Sequence, residues 1–160
     1  MCGLFGLLDA QKNLTFVKQM SADFSQQFIF LTLEKGINIV LNRFIDSTTA
    51  YQGYGNGIPL NIISVVNDVA TDGIKPDLTY ILDMPAEKAL SRINKAEFGQ
   101  FDRIELKGKE YLEKVRQGYL EIVKKESERC VLIPYQDGDI EGTHRKIVNV
   151  LSERIKFLRN

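Results

Sequence analysis

An α/β fold, a parallel sheet flanked by helices in three layers, is what this chain of 160 residues predicts. Three short apolar runs, Ile37 to Leu41, Leu78 to Leu82 and Cys130 to Ile133, read as buried strands, and helical patterns stand between them. Strands that alternate with helices in this way form a parallel sheet with right-handed crossovers. One domain over residues 1–160 is sufficient, because a chain of this size hides roughly 70% of its unfolded surface in a single core.

The elements follow in order. Over residues 15–35, Phe16, Met20, Phe24, Phe28 and Leu31 recur three or four apart, the apolar stripe of a helix, and Gly36 suits the left-handed position that closes one. The first strand comes next. After a glycine-rich turn, Ile58 to Val69 is a second helical pattern, with Pro59 near its first position and Gly73 just past its end. It feeds the strand Leu78 to Leu82. Pro85-Ala86-Glu87-Lys88-Ala89-Leu90 opens a third helix whose apolar period is lost near Asn94, so residues 92–103 are a candidate lid. A long amphipathic helix then runs from Ile104 to Lys125 through Tyr111, Leu112, Val115, Tyr119 and Ile122. The third strand follows, and a last helix carries Ile147, Val148, Leu151, Ile155 and Leu158. Residues 1–14 are atypical: Leu4 to Leu8 suits a further strand, and equally a short helical turn or frayed end.

Charge and composition narrow the function. With 21 basic and 21 acidic side chains, nothing in the net charge points to nucleic acid or a membrane surface as partner, so any attraction for phosphate must be local. Cys2 and Cys130 do not make a disulfide framework, and a reducing compartment fits them better. No stretch approaches the roughly 20 apolar residues of a membrane span, and Leu4 to Leu8 lacks the basic flank of a leader. A cytoplasmic protein is expected. His144 is the only histidine, so no metal site can be built on paired imidazoles.

The most informative block is Asn42-Arg43-Phe44-Ile45-Asp46-Ser47-Thr48-Thr49-Ala50-Tyr51-Gln52-Gly53-Tyr54-Gly55. It sets a cation, aromatic rings, hydroxyls and an amide directly after a buried strand, and parallel sheets bind ligands at the carboxyl ends of their strands. The Arg43 fork suits bidentate contact with a phosphate. Gly53, Gly55 and Gly57 supply backbone freedom, and Asp46 and Ser47 read as caps of the turn that follows.

This block resembles the Asp-Arg-(Tyr/Phe)-x-Asp-Ser-(Ser/Thr)-x-Ala-Tyr-Gln-Gly-x-Gly segment of bacterial thymidylate kinases. The resemblance continues through Lys75-Pro76-Asp77-Leu78, Asp102-Arg103-Ile104-Glu105 and Val115-Arg116-Gln117-Gly118-Tyr119-Leu120. It implies a P-loop-kinase-like five-stranded sheet, a homodimer, and transfer of the γ-phosphoryl of ATP, with magnesium, to thymidine monophosphate. By the same resemblance Arg43 binds the acceptor phosphate, Thr48, Tyr51 and Gln52 meet the thymine and deoxyribose, and Arg92 and Arg103, with Lys95 beside them, act from the lid on the transferring group. The Asp137-Gly138-Asp139 turn would lie near adenine.

Departures from the family pattern shape the expectation. Asn42 replaces an aspartate, Ser21 stands where a second phosphate-binding arginine is expected, and Val17 where a phenylalanine stacks on thymine, both on the first helix with Lys18. No Gly-x-x-x-x-Gly-Lys-(Ser/Thr) occurs in the 160 residues. The family carries that phosphate loop near its amino terminus, where it wraps the ATP phosphates. The chain is therefore expected to be an amino-terminally truncated kinase with very low transfer activity. The competing expectation is a non-catalytic nucleotide-binding or dimerisation module, to which Phe28, Phe30 and Leu33 point as apolar residues beyond a single stripe.

Overall fold

Four strands in two parallel pairs, with helices between and after them, account for the residues that the computed structural model describes, 15–17, 22–95 and 108–158. The three expected strands form as β2 (Ile39–Leu41), β3 (Thr79–Asp83) and β4 (Cys130–Pro134). A fourth, β1 (Thr15–Val17), corrects the start of the helix expected over residues 15–35; among the described residues of that stretch the helix is Ala22–Glu34, here α1. Two β-branched residues around an aromatic favour a strand, and a parallel partner supplies the hydrogen bonds that an isolated extended segment would lack. That partner is β2, in the register Thr15 to Ile39 and Val17 to Leu41. Val17 therefore lies on a strand and not on the first helix.

β3 pairs in parallel with β4 from Thr79 and Cys130 to Asp83 and Pro134. Among the described residues the strands make two parallel pairs, β1 with β2 and β3 with β4. Leu4 to Leu8 and most of the lid fall outside the described residues.

After β2 the chain turns through α2 (Ile45–Thr48) into a π-helical stretch, Thr49–Gly55. Such wide turns are uncommon and concentrate at functional sites. Next comes α3 (Leu60–Thr71), which ends on left-handed Asp72 and Gly73. Then follow α4 (Ala86–Lys95), α5 (Gly108–Lys125) and α6 (Ile140–Leu158). The last begins earlier than its apolar residues suggest, because Asp139 Oδ1 accepts the Gly142 N–H at 2.8 Å and caps it.

The core lies where α5 crosses the π-helical stretch. Val115 and Ala50 are fully buried there, with Tyr51, Tyr111, Leu112 and Ile122 around them. Small residues allow the approach. A Cβ on Gly55 would stand 2.7 Å from Val115 Cγ2, and one on Gly118 2.8 Å from the Tyr54 side chain. Both glycines serve close packing, so the freedom expected of Gly55 is not its role; Gly57, at φ +75°, does use it.

Candidate functional site

The site grows from the carboxyl end of β2, where the chain must leave the sheet and turn into α2. Arg43 makes that turn in the left-handed region, at φ +70°. A side-chain-bearing residue there costs roughly 1–2 kcal/mol, which the surroundings must offset. The π-helical stretch then brings Tyr51 back beneath it. The Arg43 guanidinium stands 4.8 Å from the centre of the Tyr51 ring, and its Nη2 donates to the phenolic oxygen at 3.2 Å. Arg43 is exposed, whereas Tyr51 is only 6% exposed.

Two further tyrosines from α5 frame the ring. Tyr111 and Tyr119 meet Tyr51 edge to face, with centres 6.4 and 6.3 Å apart. The Tyr111 hydroxyl donates to the Tyr51 carbonyl at 3.3 Å, and the Tyr119 hydroxyl shares a 2.9 Å hydrogen bond with Ser47 Oγ. Burial pushes the Tyr119 phenol up to about 12 and also raises Tyr111, so both remain protonated donors at neutral pH.

α2 is held from two sides. Asp46 is 6% exposed and receives Arg129 in a fork, Nη2 to Oδ1 at 2.6 Å and Nη1 to Oδ2 at 2.9 Å. The Thr79 hydroxyl donates to Asp46 Oδ2 at 3.0 Å and accepts from Arg129 Nη1 at 3.1 Å. From α3, Asn67 Nδ2 donates to the Ile45 carbonyl at 3.3 Å and to Thr49 Oγ1 at 3.2 Å. These bonds replace the capping roles expected of Asp46 and Ser47, since Phe44 occupies the cap position and no side chain caps the helix. At the end of β3, Arg116 clasps Asp83 with bonds of 2.6 and 3.0 Å, fixing α5 to the sheet. The carboxylates hold both arginines firmly charged.

A cavity of about 310 Å³ opens between α1, α2 and α3. Arg43, Ser47, Thr48, Asn67 and Thr71 supply its polar groups, and Ile29, Ile45 and Ile74 are among its apolar walls. Arg43 and Thr48 thus share one cavity, and Arg43 and Tyr51 touch. Gln52 does not line that cavity; it is exposed and accepts a hydrogen bond from Asn56. Arg92 sits on α4 with its side chain outside the described residues, and Arg103 lies outside them altogether. Asn42 is exposed where β2 ends. His144 is an exposed residue of α6, as its isolation in the sequence suggests.

Arg43 thus meets Tyr51 and shares a cavity with Thr48 at the end of a parallel strand. A family profile described as Thymidylate kinase covers residues 8–147. The chain belongs to the thymidylate kinase family. The thymidylate kinase of Sulfurihydrogenibium sp. (strain YO3AOP1) is 41% identical over 131 residues, 81% of this chain and 61% of that protein. That of Chlorobaculum parvum is 36% identical across 91% of this chain and 72% of its own length. The crystal structure of thymidylate kinase from Ehrlichia chaffeensis superposes with a TM-score of 0.59 at 31% identity, over 82% of this chain and 58% of that one. The chain thus spans about three-fifths of the first of these relatives. Within each described pair the strands run parallel, and Arg43 stands at the carboxyl end of β2, where α/β sheets take their ligands.

The residues around Arg43 and α2 that sequence reasoning did not place there are Tyr111, Tyr119, Asn67, Arg129 and Thr79. Only Tyr119 carried a signal, its place in the family-like Val115 to Leu120 segment.

Proposed function

We propose that this chain binds thymidine monophosphate as the phosphoryl acceptor and serves the transfer from ATP that yields the diphosphate. The observation that carries this reading is the meeting of Arg43 with Tyr51 at the end of β2, beside a cavity that Thr48 also lines. A volume near 310 Å³ falls at the lower end of small-molecule sites. Arg43 takes the phosphate, Thr48 the thymine edge, and Gln52 closes over the base from the rim. Arg92 and Arg103 act from the lid, where cations stabilise the transferring group and closure excludes water.

The family implies ATP with Mg²⁺. The described residues do not assemble a magnesium site of their own: Asp46 and Asp83 are each engaged by an arginine, and no group of three metal-ligating side chains occurs among them. No described residue is assigned to the metal. A second reading, binding without transfer, gains support from Asn42, an amide where the family has a carboxylate.

A homodimer belongs to the same proposal. α3 turns Ile62, Val65, Val66 and Val69 to solvent, at 50%, 62%, 51% and 74% exposure, and α1 adds Phe30 and Leu33. Asp68 is the only charged residue on that helix, which suits an apolar contact with a second copy. Among the described residues no helix is long and apolar enough to cross a membrane, and the buried free thiol of Cys130 fits the reducing cytoplasm.

Calorimetric titration with thymidine, uridine, cytidine and adenosine monophosphates tests the acceptor. Preference for the thymine nucleotide is expected, and no binding of any overturns the reading. Following the diphosphate after ATP and Mg²⁺ are added separates the kinase from the binding module.

A further inference from the structure

α2 is a single turn of four residues with no side chain capping its start, and a helix that short does not hold a place by itself. Its position is set from outside. Ile45, Ser47 and Thr48 line the cavity, whereas Asp46, the one residue of the turn that does not, is buried. Its carboxylate meets Arg129, the residue before β4, and Thr79, the first residue of β3. Those two are also joined to each other, since the Thr79 N–H donates to the Arg129 carbonyl at 2.8 Å. From Nε the guanidinium donates to Glu126 Oε2 at 2.6 Å, so all three of its nitrogens are engaged and the fork has one orientation. Charge-assisted bonds of this kind are roughly twice as strong as the neutral ones that Asn67 and Tyr119 make to the same turn.

We propose that Arg129 is a positioning residue for nucleotide binding: through Asp46 it fixes the turn of α2 so that the Ser47 and Thr48 hydroxyls stand in the cavity, without lining that cavity itself. The inference rests on reading the cavity as part of the monophosphate site and deepens it, by giving the segment before β4 a share in acceptor affinity. A ligand that meets a fixed turn does not have to order it, which otherwise weakens binding.

Arg129→Lys, Arg129→Met and, for comparison, Leu151→Ala are made in the full chain and titrated with thymidine monophosphate and thymidine, well below each unfolding midpoint. A lysine keeps the charge but cannot span Asp46 and Glu126 as the fork does. It weakens both ligands about fivefold, the worth of one hydrogen bond, because the turn it loosens carries Thr48. Methionine leaves Asp46 without its partner charge and weakens both about tenfold or more. Should that variant fail to fold, the lysine variant decides. Leu151→Ala empties a buried position on α6 and lowers stability alone, so its affinities stay within about twofold of the parent. Arg129 variants that lose stability yet bind both ligands like the parent overturn the proposal. So does a weakening in Leu151→Ala as large as that in Arg129→Lys, since affinity would then follow stability and not the place of α2. A ligand-free arm keeps the clamp testable by itself: the Ser47 and Thr48 amides, which donate to the Phe44 carbonyl at 2.9 and 3.4 Å, exchange hydrogen faster in Arg129→Lys relative to those of α3. Unchanged relative exchange overturns it. If the parent chain binds neither ligand, the monophosphate reading fails, and the exchange arm still decides whether Arg129 holds α2.

Discussion

The π-helical stretch is gripped on one flank by α5, where Val115 is fully buried and Gly55 and Gly118 admit close contact. On its other flank α3 buries Ile63 but leaves Ile62, Val65, Val66 and Val69 in solvent. Both helices are amphipathic, yet one packs its apolar side against Tyr51 and the π-helical stretch and the other leaves an apolar face in solvent. The same periodicity therefore serves two ends, and only the packing distinguishes them. Rigidity is needed on the α5 flank because Tyr51, which carries Arg43, is framed by α5 side chains.

The largest effect is expected where charge is buried against that flank. Asp46→Ala leaves Arg129 without its forked partner and costs about 3 kcal/mol, read as a lower midpoint in chemical denaturation. Asp46→Asn, which keeps a hydrogen-bonding shape, loses less. A smaller loss is expected at the glycine contact. Gly118→Ala drives a methyl into the Tyr54 ring and costs about 1–3 kcal/mol, and it also loosens α5 from Tyr51. Equal stability of Gly118→Ala and the parent chain would show that this flank is not tightly packed.

Alkali probes the same flank without mutation. Tyr119 titrates at about 12 in the fold against an ordinary phenol value of 10.0. Because the folded value is the higher one, its contribution to stability is complete below pH 10.0 and is lost as the pH climbs towards about 12. Denaturation midpoints of the parent should fall across that window more steeply than those of Tyr119→Phe.

What the sequence made legible follows from locality. The strands at β2, β3 and β4 stand out because three or four apolar residues in a row, Ile39 to Leu41, Tyr80 to Leu82 and Cys130 to Ile133, bounded by breakers, have few other uses. β1 did not, since Phe16 also fits the three-or-four spacing of a helix and the partner that makes it a strand lies 24 positions on, at Val40. Arg43 and Tyr51 are eight residues apart, so one motif contained both. Asp46 meets Arg129 across 83 residues and Ser47 meets Tyr119 across 72, distances over which no spacing rule operates. An aspartate at a helix start reads as a cap until its partner is seen. The outward stripe of α3 was not legible for a similar reason: periodicity shows that a helix has an apolar face, and not what covers it.

That stripe yields the smallest expected change in stability and the clearest separation of the two flanks. Val69 is 74% exposed, so Val69→Lys should alter the unfolding free energy of an isolated chain by no more than about 0.5 kcal/mol. In a dimer built on α3 the same lysine would lie close to its symmetry mate, and desolvating two like charges disfavours association strongly. Light scattering across a dilution series should therefore show a dimer for the parent chain and a monomer for Val69→Lys. Titration with thymidine monophosphate should give the same affinity for both, because Arg43 and Tyr51 are held by α2 and α5. Loss of nucleotide binding along with the dimer would mean that the pocket depends on association through the outer face of α3, beyond the Asn67 and Thr71 that line it, and the division between a rigid flank and an associating one would fall.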